Sequence, residues 1–338
     1  MLDSNIFEQG YALLIGTGVN ASGQLHPAYN STINDANWLG GILKDPARCA
    51  YKPEQVVTLT GADATRTNIL REMDKISRAA NEDSTVVIFF SGHSKRDDKE
   101  KSVLIPFGYE DGQDPAEFTI DSKRLCDSLA AMDVKRLVLL LNCCYATDVV
   151  ITISSETEDE LGLRNIPLSE AQMRKLSKGT GLVVMSSSLV SENSHTGYLE
   201  GNEPKNIYSA FTVGVGNALS GIGQRGDGLV HITDLASQCH KFVVDKTNNR
   251  QHTYFKLYCD DFPIAYYHGG LYSIAAVVGD NFTEEPDVAD ETTTIGVGAN
   301  NISQPTMVFS GNIHVENGSL FVGCTFGDGA FFEYAQNT

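Results

Sequence analysis

The chain has no long apolar run. Its 338 residues contain no stretch of roughly 18 consecutive apolar residues, the length that a membrane-spanning helix needs. Residues 1–16 include acidic residues and have no basic flank, so they do not match a secretory signal peptide. We therefore expect neither a membrane span nor a cleaved leader.

Cysteines are few and unevenly spaced. The chain has seven, an odd number without the regular spacing of a disulfide framework. The simplest interpretation is a protein of a reducing compartment, and we predict a cytoplasmic location.

Basic residues are also scarce. The chain has 25 Lys and Arg against 43 Asp and Glu, a net charge of −18. Such a chain repels nucleic acid and anionic membranes, so neither is expected as a partner. It tolerates or attracts basic peptides, although the charge is also explained by solubility alone.

What the sequence does contain is a regular alternation of strand and helix patterns. Several strands are continuous apolar runs, such as 86–90 and 137–141, which is typical of strands covered on both faces. We predict a three-layer α/β domain over residues 1–270, with a mostly parallel sheet flanked by helices. An acidic linker, 271–294, and a small β-rich tail, 295–338, follow.

Two apolar runs end in residues that can carry chemistry. His93 follows the run "VVIFFSG", and Cys144 follows "VKRLVLLLNC". The carboxyl ends of parallel strands meet at one edge of a sheet, where ligands bind. A cysteine at a strand end is usually a small buried side chain, but a histidine beside it can activate it as a nucleophile.

These two stretches carry a resemblance to a known family. "FFSGHS" followed by "LLLNCCYA" resembles the caspase clan, and most closely its metacaspase and prokaryotic branch. The spacing of about 50 residues between the histidine and the cysteine is that of caspases. "YNSTINDANWL", "VVMSSSLVSENS" and "YSAFTVGVGNALSG" resemble further family segments, so the resemblance covers about residues 10–268.

The resemblance implies a cysteine endopeptidase with a Cys–His dyad. Cys144 would be the nucleophile, because the family places it two residues after an acidic position that is Asn142 here. His93 would be the general base. The backbone N–H groups of Gly92 and Cys144 would form the oxyanion hole. Cys143 falls in a variable position and is expected to be a small buried side chain.

The resemblance also implies cleavage after Arg or Lys. Asp35 matches an acidic position of the family's pocket, with Thr32 and Ser91 beside it, whereas Asn142 replaces a second acidic residue. The alternative for Asp35 is an exposed carboxylate in the first turn of a helix. Ser94 also departs from the family, which has glycine after the histidine.

Residues 150–180 interrupt the alternation and are expected to form an exposed loop. Related proteases are often cut at this place, and the candidate bonds for self-processing follow Arg164, Lys175 and Lys178. The expected role is regulated, in signalling, defence or cell death.

Two rival functions stay open. One is a catalytically impaired scaffold that acts through its tail, because Ser94 and Asn142 depart from the family pattern. The other is a different thiol hydrolase, such as an amidase. The tail itself is expected to be a hairpin packed on the domain, or an element for self-association or for binding a recruiter protein.

No cofactor or metal is expected. The chain has neither an EF-hand nor zinc-type spacing. Calcium is the one weak candidate, since the acidic segments 96–100 and 109–114 are of a kind that can bind it.

Overall fold

The structure is a computed structural model that describes residues 6–20, 22–96, 102–110, 112–143, 181–189, 192, 194–198, 207–267, 283–284, 312–316 and 319–323. The chain divides into two compact units, Met1–Glu285 and Pro286–Thr338. The domain boundary predicted at residue 270 lies outside the described residues, so the predicted bounds stay a prediction.

The first unit alternates strands and helices, as the sequence predicts. Its strands are β1 (Gly10–Gly16), β2 (Val56–Thr60), β3 (Thr85–Ser91), β4 (His93–Arg96), β5 (Ser102–Ile105), β6 (Ile120–Asp121), β7 (Arg136–Asn142), β8 (Gly181–Ser186), β9 (His195–Tyr198), β10 (Ile207–Ser209), β11 (Leu229–His231), β12 (Tyr254–Cys259), β13 (Pro263–Tyr266) and β14 (Thr283–Glu284). Its described α-helices are α1 (Asn30–Lys44), α2 (Arg66–Ala79), α3 (Pro115–Phe118), α4 (Ser122–Ala130), α5 (Ala210–Leu219) and α6 (Ile232–Lys246).

Six of these strands form the main sheet, in the order β12-β8-β7-β3-β1-β2. All neighbours pair in parallel except β12, which is antiparallel to β8. The chain moves outward from β1 to β2 and then returns to the other side of β1 with β3. This reversal is a topological switch point, the place where open α/β sheets bind their ligands.

Helices cover both faces of the main sheet. Alternate residues of a strand face opposite sides, so Leu139 of β7 packs with α2 and α4, whereas Leu140 packs with α1, α5 and α6. Because both faces are buried, the central strands are continuous apolar runs. The predicted three-layer α/β fold is confirmed.

A glycine lets α1 approach the end of β1. A Cβ on Gly16 would lie 2.2 Å from the carbonyl oxygen of Thr32, on α1. No side chain fits at that distance, so glycine is required where the helix crosses the strand end. This close approach brings Asp35 of α1 to the carboxyl edge of the sheet.

Three small sheets are also found among the described residues of the first unit. They have the strand orders β4-β5-β6, β10-β9-β14 and β11-β13. The first continues directly from the end of β3, and the second lies after the end of β8. Both therefore extend from the carboxyl edge of the main sheet.

The second unit contains an antiparallel hairpin of β15 (Asn312–Glu316) and β16 (Ser319–Gly323). The two strands flank the dipeptide Asn317-Gly318, a sequence that favours a two-residue hairpin turn. The small β-rich tail predicted from sequence is thus present.

Candidate active site

The candidate site lies at the carboxyl ends of β1, β3 and β7. The parallel register aligns Gly16 with Ser91 and Ser91 with Asn142, so the three strands end level with one another. His93 follows Ser91 after one residue, and Cys143 follows Asn142. The topology therefore brings both predicted strand ends to one place.

His93 stands at the start of β4, with its imidazole packed against Tyr29. The two ring centroids are 4.4 Å apart and the planes are nearly perpendicular. Within the described part of the chain, the buried Nε2 of His93 has no hydrogen-bond partner. Burial lowers the pKa of His93 from 6.5 to about 4, so the ring is neutral at pH 7.

Cys143 is the last residue described on the β7 side. Only 2% of it is exposed, and it packs in the apolar cluster that contains Leu139 and Leu141. The expectation of a small buried side chain at this position agrees with its packing. Cys144 lies outside the described residues.

Asp35 is completely buried and is the centre of a polar network. One carboxylate oxygen accepts hydrogen bonds from Ser91 Oγ at 2.9 Å and Asn142 Nδ2 at 3.1 Å. The other accepts the backbone N–H of Ser209 at 3.0 Å. The alternative of an exposed carboxylate in the first turn of α1 is wrong, because the helix buries this side chain against the strand ends.

The Asp35 carboxylate is held by neutral donors. Burial raises its pKa from 3.8 to about 6, and the hydrogen bonds from the Ser209 backbone and Ser91 oppose this rise. Ser209 caps α5, where its side chain accepts the N–H of Thr212, so the positive end of that helix dipole also faces the carboxylate. Burial thus shifts the titration of Asp35 toward neutral pH.

The network continues into the segment after β8. Ser194 Oγ donates to Asn142 Oδ1 at 3.3 Å and is 2.8 Å from Ser187 Oγ. Gln251, which is fully buried, accepts the N–H of His195 and donates to the carbonyl of Ser187. The residues after β8 are therefore tied both to β7 and to the connection between α6 and β12.

Comparison of the sequence with models of protein families shows which family this chain belongs to. The model of the caspase domain family, peptidase family C14, matches residues 9–258. The chain belongs to the caspase domain family. A search of curated proteins gives no significant match.

A similar solved structure is a crystal structure of protein GSU0716 from Geobacter sulfurreducens. It is 14% identical, the match covers 74% of this chain and 93% of that one, and the TM-score is 0.45.

Within the caspase domain, the structure brings together three of the predicted substrate-binding residues. Asp35, Ser91 and Asn142 are mutually hydrogen bonded, including Asn142 Nδ2 to Ser91 Oγ at 2.9 Å. Thr32 is not part of this hydrogen-bonded group. Its hydroxyl accepts the N–H of Gly18 and donates to the carbonyl of Tyr29, so it holds the turn before α1.

The structure argues against Gly92 as an oxyanion donor. Its N–H donates to the carbonyl of Asn142 at 3.1 Å, because the parallel ladder of β3 and β7 continues one step beyond the strands. Glycine has a packing role here instead: a Cβ on Gly92 would lie 2.4 Å from Thr17 Oγ1. This contact leaves no room for a side chain beside the histidine.

Four residues of the site were missed by the sequence analysis: Tyr29, Ser194, Ser209 and Gln251. Ser209 had a usable signal, since Ser-Ala-Phe-Thr is typical of a helix N-cap. The contacts by which the other three join the site span 52 to 64 positions: Ser194 with Asn142, Gln251 with His195 and Ser187, and Tyr29 with His93. No local pattern reveals such contacts.

The predictions for the loop after the site lie outside the described residues. These are the loop 150–180 and its candidate cleavage points at Arg164, Lys175 and Lys178. Most of the acidic segment 96–100 also lies outside. Among the residues that are described, no group of three or more His, Cys, Asp or Glu is placed to hold a metal ion, and no helix is long and apolar enough to cross a membrane.

The raised pKa of Asp35 predicts a pH-dependent stability. The folded state binds the Asp35 proton more tightly than the unfolded chain does. The stability gained in this way is fully present below about pH 3.8 and is lost as the pH rises through about 6. Relative to Asp35→Asn, the wild type should lose roughly 2 kcal/mol of unfolding free energy between about pH 4 and pH 7. Urea unfolding at a series of pH values measures this difference.

The control for this experiment is Asp127→Asn, which removes an exposed carboxylate that pairs with Lys123 on α4. Its unfolding free energy should run parallel to that of the wild type. Parallel curves for Asp35→Asn as well would contradict the pKa assignment.

Proposed function

We propose that this caspase domain is a cysteine endopeptidase in which Cys144 is the nucleophile and His93 the general base. The observation that supports it most directly is geometric: the buried Nε2 of His93 is unpartnered in the described residues, and His93 stands at a strand end level with that of β7. The family match supports the same class of reaction.

In the proposed reaction, the Cys144 sulfur attacks the scissile carbonyl carbon while its proton passes to His93. The tetrahedral intermediate then collapses as His93 returns the proton to the leaving amine and the C–N bond breaks. Water hydrolyses the resulting thioester and regenerates the thiol. The Cys144 N–H stays the proposed oxyanion donor, whereas Gly92 is no longer proposed.

Substitution of the two adjacent cysteines tests the nucleophile. Cys144→Ala should reduce kcat/KM for peptide hydrolysis by about 10⁴-fold or more, because nucleophile and base act as one unit. Cys143→Ala should retain most of the activity, since its side chain packs in the apolar cluster. Peptide kinetics and labelling with a thiol-directed probe measure both.

The reverse result, an inactive Cys143 variant and an active Cys144 variant, would show that the nucleophile is misassigned. A wild type that is folded but neither hydrolyses peptides nor reacts with the probe would favour the scaffold alternative. Hydrolysis of small amides but not of peptides would favour another thiol hydrolase.

We also propose that the site prefers Arg or Lys at P1, the residue before the scissile bond. The support is the buried Asp35 carboxylate, whose described hydrogen-bond partners are all neutral. A buried charge is stabilised best by an opposite charge. A guanidinium or ammonium group reaching this network would supply it.

Loss of the Asp35 carboxylate should remove this preference. Asp35→Ala and the less disruptive Asp35→Asn should each lower kcat/KM for Arg and Lys substrates by at least about 30-fold, the cost of losing one partner of a buried ion pair. Substrates with apolar P1 residues should change much less. A peptide library profiled with each variant measures the shift.

Asp63→Ala is the matched control, because Asp63 is an exposed carboxylate in the turn before α2. Its profile should equal that of the wild type. A wild-type profile dominated by aspartate or by apolar residues at P1 would rule out the assignment of Asp35.

Self-processing in residues 150–180 is a further proposal. If the site accepts basic P1 residues, the bonds after Arg164, Lys175 and Lys178 are candidate substrates within the chain itself. Mass spectrometry of active protein should find a cut at one or more of them. The Cys144→Ala protein, purified in the same way, should stay uncut; an active wild type without any cut would contradict the proposal.

The tail is proposed to serve self-association or recruitment. Among the described residues β15 and β16 pair with each other, and a two-stranded hairpin taken by itself is at best marginally stable in water. It therefore gains stability when it pairs with another surface, and a second copy or a recruiter protein would provide one.

A further inference from the structure

Strand β9 begins beside the candidate site. Its first residue, His195, follows Ser194, whose hydroxyl donates to Asn142 at the end of β7. From there β9 runs away from the site toward Tyr198. A chain paired with β9 in the antiparallel sense therefore runs toward Asn142.

The start of β9 is held firmly in place. The buried Gln251 bonds to the N–H of His195 and to the carbonyl of Ser187, at 2.8 and 2.7 Å. Glu192 accepts the N–H of His252 at 2.6 Å, and its carboxylate lies 2.7 Å from the Nδ1 of the same residue. An edge fixed in this way is a ready template for an added strand.

Both sides of β9 are paired in this structure. One side pairs with β10, which belongs to the body of the domain. The other pairs with β14, a two-residue strand in which Thr283 is opposite Thr196 and Glu284 is opposite His195. This second pairing is antiparallel, so β14 runs toward the candidate site, as a bound peptide on this edge would.

We propose that Thr283–Glu284 of β14 is an internal competitor that excludes the peptide substrate from this edge of β9. The inference rests on the proposed peptidase function. A substrate strand laid on β9 in the same direction carries its next peptide bonds toward Asn142 and the end of β7. The protein's own segment and the substrate then exclude each other.

The charge of this segment suits a competitor better than a substrate. The sequence here is Thr-Glu-Glu-Pro, within an acidic stretch. Acidic residues are poor ligands for a site whose centre is the buried carboxylate of Asp35. The negative charge of Asp35 favours a basic peptide instead. To bind, this peptide has to displace only the two residues of β14.

Proline substitution in the full chain removes the competitor and leaves the rest of the sequence intact. Thr283→Pro combined with Glu284→Pro deletes both backbone N–H groups of β14. We expect kcat/KM for a peptide with Arg at P1 to rise about three- to tenfold, mainly through KM, because one or two backbone hydrogen bonds no longer compete. The matched control is Thr283→Val with Glu284→Gln, which retains the N–H groups and should keep most of the inhibition.

Hydrogen exchange followed by mass spectrometry reports on the edge itself, independently of activity. At least one amide within 196–198 should exchange faster in the double-proline protein than in the wild type, whereas the His195 amide, which is bonded to Gln251, should not change. A tripeptide aldehyde ending in arginine should restore the lost protection. A synthetic peptide of residues 280–289 should inhibit the double-proline protein more strongly than the wild type.

Unchanged kinetics and unchanged exchange in the double-proline protein would overturn the inference. Faster exchange with faster hydrolysis supports it. Faster exchange at β9 with no hydrolysis and no probe labelling by either protein would contradict the peptidase function and, with it, the substrate role of this edge. Faster exchange with hydrolysis unchanged would show that β14 does not compete with substrate.

Discussion

The Asp35 carboxylate connects the parts of this caspase domain that form the candidate site. It receives hydrogen bonds from Ser91 at the end of β3, from Asn142 at the end of β7 and from Ser209 at the start of α5. A buried carboxylate must keep its donors, because each unmet hydrogen bond in the interior is costly. The positions of two strand ends and one helix end are therefore linked through a single side chain.

The same carboxylate sets the electrostatics of the site. Burial raises its pKa to about 6, and the donors around it are neutral. His93 is affected by burial in the opposite sense, with a pKa of about 4. Near neutral pH the site thus contains a neutral imidazole and a carboxyl group that is largely ionised.

If the site takes basic peptides, as proposed, the net charge of −18 adds to its attraction for them. Under the proposed competition, the two-residue strand at 283–284 withholds the edge of β9 until a better ligand displaces it. The sequence indicated these two residues only as part of an acidic linker, and the structure pairs them with β9.

The sequence by itself determined the fold class and the two strand ends that carry His93 and the cysteine pair. Continuous apolar runs imply strands buried on both faces, and parallel strands align their carboxyl ends, so both inferences follow from local pattern. Tertiary structure alone decided that Asp35 is buried rather than exposed, that Thr32 bonds to the turn before its helix, and that the N–H of Gly92 is taken by the Asn142 carbonyl. It also decided the contacts of Tyr29, Gln251 and β14. The partners of Thr32 are 14 and 3 positions away, but the other contacts join groups 50 or more positions apart, and such pairs leave no periodic trace in a sequence.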